Sequence, residues 1–442
     1  MRFQLIEVYL EFFMLNWLFI HTPLSFLTQS LWRDEAFSYL LAKKKFVEIV
    51  LLSAKDFTPP LHPILLHLWI NVFGSSEVAL RSLSLVFFSA TVCLCFIFME
   101  EIFKLSAKKN FIYILLFLLN PFLVNYAFEA RAYALLTFLA TLSYFAYLKK
   151  LAKVYVFSTI LGLYTHYFMV FVVLSQFFHN LIFRKKSKKY EQVKKMVLKP
   201  FLFFIPWFIL VLSQKNFFNS SFWIDKSGLN TFLNILGIIY TGFEKNVFWV
   251  SLILLVLILL SVKKVIKKNR ADENLYTLLI LWGISIPILM AVISIDKPIF
   301  FPRYFIFSTV GLLLFLVYLI ERSKRNFRII AYLILILIAI FFQIKQLGEN
   351  QKQDFRKMTS EIKVLANPDD PIYVTSELDF FTAKYYFPQH QVYIYNKSYE
   401  LIPDYVGKVL IAKSDLVSTL PFYPKKAFII KRDATFDIRS LF

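Results

Sequence analysis

The sequence predicts a mainly α-helical, polytopic membrane bundle of about eleven spans, with a small α/β domain at its C-terminal end. Three observations predict it. Apolar runs approach the ~20 residues that a helix needs to cross a ~30 Å hydrocarbon core. The short loops between them alternate between strongly basic and weakly charged. From about Gly348 onward the long apolar runs stop, charges of both signs nearly balance, and short β-rich stretches appear.

Composition supports the membrane reading. Hydrophobic residues make up 58% of the 442-residue chain and aromatic residues 19%, with a mean hydropathy of +0.60. A soluble domain is about 45–50% apolar. The formal net charge of +21 would suggest nucleic acid in a soluble protein. Here the basic residues cluster in short loops between apolar runs, which excludes that partner in favour of the positive-inside pattern. Cys93 and Cys95 lie two apart in one apolar run, so a disulfide framework is not expected.

The first span covers roughly 5–27 and reads as an uncleaved anchor, weakened by Glu7 and Glu11. A long outer loop, 28–78, carries amphipathic helix candidates at 35–55 and 60–73, separated by Thr58-Pro59-Pro60; proline breaks an incoming helix and can start the next. Further spans are expected near 79–102, 111–125, 132–148, 154–165, 167–183, 198–213, 246–262, 275–294, 303–320 and 329–345. The third ends at Asn120-Pro121. An outer segment is expected over 214–245. Loops rich in lysine and arginine follow alternate spans, the richest at 184–199, and all fall on one side under this count. That places the N-terminus in the cytoplasm and the C-terminus outside, in a multi-pass protein of the cell membrane. The expected division is a transmembrane domain, 1–346, and an extracytoplasmic α/β domain, 347–442. Strands are expected at Ile372-Tyr373-Val374, Val392-Tyr393-Ile394-Tyr395 and Val409-Leu410-Ile411.

Chemistry-bearing residues concentrate in the outer loops. Trp32-Arg33-Asp34-Glu35-Ala36 sets two adjacent carboxylates where a span meets the interface. Ionisable residues near the membrane are costly and usually functional, and a carboxylate at a water-accessible membrane edge can serve as a general base. Trp32 and Arg33 equally suit an interfacial anchor. Phe128-Glu129-Ala130-Arg131-Ala132-Tyr133 places a carboxylate and a guanidinium two residues apart; Arg131 suits a phosphate, because its planar fork binds two oxygens, and the same pair also reads as a cap on the next helix. His166 sits in the turn Tyr164-Thr165-His166-Tyr167, either as a ligand or as an interfacial histidine. Pro302-Arg303-Tyr304 opens a span; Arg303 suits a carrier phosphate or a lipid headgroup. His62 and His67 are five apart, unlike an i, i+4 metal pair. No Walker loop, dinucleotide fingerprint or nucleophile elbow is present.

The order of these segments resembles the GT-C membrane glycosyltransferases, in the branch of the protein O-mannosyltransferases and the lipid A aminoarabinose transferase (glycosyltransferase family 39-like). Trp32-Arg33-Asp34-Glu35-Ala36 resembles the first-loop Asp-Glu motif. Thr58-Pro59-Pro60-Leu61 through Leu66-His67-Leu68-Trp69 resembles the Pro-Pro-Leu segment. Phe73-Gly74 with Glu77-Val78-Ala79-Leu80-Arg81 is similar to its continuation, and Phe128-Glu129-Ala130-Arg131-Ala132-Tyr133 to the second-loop motif, with Phe128 in place of the usual Gln. Thr165-His166-Tyr167-Phe168 and Pro302-Arg303-Tyr304 also match. The likeness is strong over roughly 28–180, looser to about 320, and architectural beyond.

The resemblance implies an inverting transfer of a sugar from a polyprenyl-phosphate carrier to a lipid, glycan or protein acceptor on the outer face. It implies Asp34 as catalytic base and Glu35 as the rest of the motif. Glu129, Arg131, Tyr133, His166, Arg303 and Tyr304 would then line the substrate site, with Arg303 toward the carrier phosphate. His62 stands where many relatives have Tyr. No cofactor and no metal ligand set is expected, although related oligosaccharyltransferases use a divalent ion. The alternative is a transporter or flippase of lipid-linked sugars, which would show Gly-interrupted spans in paired halves. Nine glycines and no visible repeat count against it.

Overall fold

The computed structural model describes residues 17, 19, 21–183, 188–214, 224–265, 270–349, 351–433 and 435–442. Most of the expected first span and part of the basic segment 184–199 lie outside the described residues, as does Trp223. Among the described residues, three helices are each long and apolar enough to cross a membrane, Glu77–Glu101, Asp272–Ile293 and Arg325–Glu349; the bent pair Ala107–Leu118 and Pro121–Ala127 brings the number to four. Most of the other expected spans appear as shorter helices, so length and composition do not reproduce the count of eleven. One reason is that some helices see protein rather than lipid. Every residue of Phe307–Ile320 is buried, as expected of a helix apolar all round its circumference. Gly283 and Gly311 let this helix approach its neighbour: a Cβ on Gly283 would sit 2.4 Å from the backbone of Leu312.

Local chemistry sets the breaks. Asn120 caps the second half of the bent pair, its side chain accepting from the Leu123 N–H at 3.0 Å and donating to the Tyr240 carbonyl at 2.8 Å. Pro121 cannot continue the preceding helix, and the two halves meet at 71°. The 35–55 candidate is two helices, α1 (Arg33–Ala42) and α2 (Phe46–Lys55), parted at Lys43-Lys44-Lys45. After Pro59-Pro60 comes α3 (Leu61–Phe73), ended by Gly74 at φ +81°. Helix α4 (Glu77–Glu101) starts at Ser76, whose hydroxyl accepts from the Ala79 N–H at 3.2 Å. The expected outer segment 214–245 contains a further helix, Leu229–Thr241, buried from Asn234 onward.

The C-terminal region folds as a five-stranded sheet in the order β3-β2-β1-β4-β5: β1 (Ile372–Val374), β2 (Val392–Tyr395), β3 (Leu416–Val417), β4 (Ala427–Ile430) and β5 (Phe436–Arg439). All neighbours pair in parallel except β4 with β5. The expected strand at Val409-Leu410-Ile411 does not form. Lys408–Leu410 is a 3-10 turn entered through Gly407 at φ +87°, where a Cβ would lie 2.5 Å from Phe37. The chain turns there to pack on α1, and so cannot extend. Ala36, Phe37 and Leu41 of α1 belong to the same buried cluster as Ile372, Phe381, Ile394 and Phe428 of the sheet domain. The domain is further tied to the start of α4 by Tyr386 and Arg356, both hydrogen-bonded to Glu77 at 2.9 Å. At the far end of α4, about 37 Å away for 25 residues, Glu101 pairs with Lys149 at 2.7 Å, and Glu321 with Arg328 at 3.0 Å.

Candidate functional site

Where α1 meets the sheet domain, a cavity of about 1210 Å³ opens between the helical bundle and residues 399–409. Asp34 lies in the first turn of α1, only 8% exposed. Three arginines surround it. Arg33 Nε donates to Asp34 Oδ1 at 2.9 Å. Arg303 Nη1 and Arg131 Nη2 stand 3.5 Å and 3.7 Å from Oδ2. Burial pushes the Asp34 carboxyl up, but Arg131, Arg33 and Arg303 outweigh it, and the group stays below the ordinary aspartate range. Three guanidiniums facing one carboxylate leave an excess of two positive charges.

Aromatic rings fix those arginines. Arg131 and Arg303 lie 5.8 Å and 5.7 Å from the Tyr133 ring centre, within cation–π range. Arg131 also donates to the Ser38 hydroxyl at 3.4 Å and to the Asp34 carbonyl at 3.3 Å. The His166 ring packs between Tyr133 and Tyr304, its Nδ1 accepting from the Phe168 N–H at 3.2 Å. Burial, then Arg131 and Arg303, press His166 down to about 3, so it is neutral at pH 7. Asp34, Arg131, Tyr133, His166, Arg303 and Tyr304 all line the cavity.

Glu35 and Glu129 occupy a different position, beneath the cavity wall. Glu35 is fully buried and faces Arg81, which is also fully buried. Arg81 Nε and Nη2 grip the two carboxylate oxygens at 2.8 Å and 2.7 Å. The rest of that guanidinium donates to the carbonyls of Leu27, Gln29 and Ser30. Lys352 Nζ donates to Glu35 Oε2 at 2.8 Å, and the Ala130 N–H donates to Glu35 Oε1 at 3.0 Å. Burial works against the Glu35 carboxylate, yet Lys352 and Arg81 hold it down to about 2. This carboxylate thus joins α1, α4, the loop carrying Arg131 and the chain entering the sheet domain. Glu129 is buried beside it; burial, against the pull of Lys352, lifts its carboxyl to about 7.

Among the described residues no group of three or more His, Cys, Asp or Glu is placed to hold a metal ion. His67 is engaged elsewhere, its Nδ1 2.6 Å from the Ala42 carbonyl, while His62 faces the cavity. Cys93 and Cys95 are both free. Sequence reasoning missed Lys352, which lies 317 residues from its partner Glu35, and Asp56, which lines the cavity from the end of α2. Arg81 was visible within a motif, but nothing local showed that it pairs with Glu35.

The chain matches no protein-family model and no curated protein. Among solved structures it shares its fold with ArnT from Cupriavidus metallidurans, crystallised in the apo state and bound to undecaprenyl phosphate. In both cases the identity is 12%, the TM-score 0.64, and the match covers 97% of this chain and 93% of the other. The chain therefore has the ArnT fold, the fold that the sequence resemblance implies.

Proposed function

We propose that this chain is an inverting glycosyltransferase that moves a sugar from a polyprenyl-phosphate carrier to an acceptor hydroxyl, in the cavity beside Asp34. The observation that carries the reading is the excess of positive charge there: Arg33, Arg131 and Arg303 around one carboxylate. Such a site suits a phosphate that gains charge as the sugar departs, because arginine forks bind its oxygens in charge-assisted pairs. An ArnT structure of the same fold binds undecaprenyl phosphate, which supports a lipid-phosphate donor here.

The reaction is a single displacement. The acceptor oxygen bonds to the anomeric carbon as the carbon–oxygen bond to phosphate breaks. That electron pair leaves with the phosphate, and the acceptor proton passes to Asp34. Arg131, Arg33 and Arg303 hold the Asp34 carboxyl below the ordinary aspartate range, which weakens it as a base. A bound phosphate engages Arg131 and Arg303, weakens their pull on Asp34, and raises its proton affinity toward the operating pH, where a base works best. His166, neutral and wedged between Tyr133 and Tyr304, holds those rings around the arginines. Glu35 positions the Arg131 loop through the Ala130 N–H. The run of basic loops at the opposite end of the bundle supports an outer-face placement of the cavity and sheet domain. The test is transfer from a radiolabelled undecaprenyl-phosphate sugar by the purified full chain: turnover that requires Asp34 supports the reading, and no binding of undecaprenyl phosphate refutes it.

A further inference from the structure

The cavity is larger than one donor headgroup needs. Pockets of roughly 300–1,000 Å³ hold a whole drug-sized ligand, and this one measures about 1210 Å³. Its walls also differ in chemistry. The arginines gather around Asp34, whereas the end of α2 contributes Asp56, the start of α3 contributes His62, and the sheet domain contributes Tyr399, Asp404 and Tyr405.

We infer that this second wall is the acceptor subsite, built by Asp56 and His62 and closed by Tyr399 and Tyr405, and that it takes the hydroxyl-bearing ring of a carbohydrate. The inference rests on the glycosyltransferase reading and names the acceptor class for the same site. His62 carries the most direct evidence. It is 5% exposed, lines the cavity, and its Nε2 has no hydrogen-bond partner among the described residues. Burial, then Arg131, hold it neutral, so it offers one donor and one acceptor. A buried polar atom of that kind calls for a partner, and a hydroxyl supplies either half of the bond. Asp56 caps the C-terminus of α2 and takes one side-chain hydrogen bond, from Thr58 at 3.2 Å. Burial in the cavity lifts its carboxyl to about 7, so near neutral pH it exists in both forms and can accept from or donate to a hydroxyl. The next residue, Phe57, is held at φ +53°, a conformation that is costly for an aromatic side chain and that persists only where the surroundings impose it.

The far wall fits a sugar ring rather than a second phosphate. Tyr399 is flanked by Lys408 and Lys413, 4.7 Å and 5.8 Å from its ring centre, which fixes its orientation. Aromatic faces are electron-rich and accept the polarised C–H face of a pyranose, and here Asp56 and Asp404 stand beside Lys55 and Lys408, so this wall lacks the concentrated positive charge of the arginine side. Asp56 and His62 hold and orient the acceptor; the bond changes stay at the anomeric carbon, the phosphate oxygen and Asp34.

The experiment uses the purified full chain in nanodiscs, with maltotriose as a neutral carbohydrate probe in saturation-transfer NMR and undecaprenyl phosphate as a donor-side probe. Asp56→Ala and His62→Phe should each weaken maltotriose binding about two- to tenfold, the share of one hydrogen bond, and leave undecaprenyl phosphate affinity within about twofold of wild type. Arg303→Ala should do the reverse. Thermal unfolding confirms that the compared variants are folded. Maltotriose binding unchanged in both variants overturns the inference. So does a wild-type chain that ignores millimolar maltotriose, or one that instead binds a serine- and threonine-rich peptide. A chain that binds maltotriose through these residues but not undecaprenyl phosphate refutes the donor reading while retaining the carbohydrate subsite.

Discussion

Glu35→Gln separates a structural carboxylate from a chemical one. The substitution keeps the shape of the side chain and removes its charge. Arg81 and Lys352 then remain in a buried site without a counter-charge, and the Gln amide turns an N–H₂ toward one of them. Breaking a buried ion pair by removing one partner costs about 3–5 kcal/mol. The proton affinity gives an independent figure: a carboxyl held at about 2 rather than 4.5 is stabilised by roughly 3 kcal/mol in its charged form. Because the folded-state value is lowered, this stability is present above pH 4.5 and is lost as pH falls toward 2. Glu35→Gln should therefore lower the unfolding midpoint at pH 7 by about 5 °C or more, with the difference from wild type shrinking in acid. Intrinsic tryptophan fluorescence of the detergent-solubilised chain, scanned at pH 7 and pH 3, reads both effects. A double-mutant cycle with Arg81→Met isolates the pair. If Glu35→Gln melts with the wild type and only turnover falls, the carboxylate acts on substrate and the positioning argument fails.

Asp34→Asn should fold as wild type and lose at least ~100-fold in turnover, the lower bound for a general base; near-normal transfer by equally stable protein would place the base elsewhere. Arg131→Ala and Arg303→Ala should each raise the apparent donor KM about tenfold or more, since a charge-assisted contact contributes ~1.5–3 kcal/mol; unchanged donor kinetics in both would return them to an anchoring role. Burial lifts the Glu129 carboxyl to about 7, so stability is fully present below pH 4.5 and falls as pH rises through 7. Glu129→Gln should thus melt higher than wild type at pH 8 and close to it at pH 4, and equal midpoints at pH 8 would contradict the buried, ionising carboxyl. A reporter fused after Phe442 should be active only outside the cytoplasm; a cytoplasmic signal would invert the expected topology.

The parts of the site legible in the sequence are those whose signal is local. Asp34, Arg131 and Arg303 stand out because each is a charge beside a long apolar run, where an ionisable group is costly. The break at Asn120-Pro121 was legible for the same reason, since cap and proline chemistry act within four residues. Lys352 and Asp56 were not legible. Lys352 looks like any lysine at the start of a polar region, and only the fold brings it 2.8 Å from Glu35. Asp56 reads as turn chemistry before Pro59-Pro60, and only the sheet domain closes a cavity over it. The helix Leu229–Thr241 escaped because thirteen residues are short for a span and Lys226 and Glu244 flank it. The strand at 409–411 failed because β-propensity there yields to the packing of Gly407 on Phe37, a tertiary contact that propensity cannot foresee.

Asp34 and Glu35 show how much a single step along a helix can separate. Adjacent side chains on a helix point in different directions, so α1 presents Asp34 to the cavity and Glu35 to the interior. The interior cluster binds the Glu35 carboxylate to Arg81 and Lys352, with the Glu129 carboxyl, lifted to about 7, buried beside it. The cavity cluster sets one carboxylate against three guanidiniums and stays unbalanced. An imbalance of that size beside a membrane is tolerable where water or an anion supplies the missing charge. The two clusters share the segment Ala130–Arg131: Ala130 is bonded to Glu35, and Arg131 stands 3.7 Å from Asp34. The interior cluster therefore holds the cavity cluster in place. On the proposed reading, a carrier phosphate would find Arg131 and Arg303 already aimed, so that little ordering entropy is lost on binding, and the charge it brings is the charge that the Asp34 site lacks.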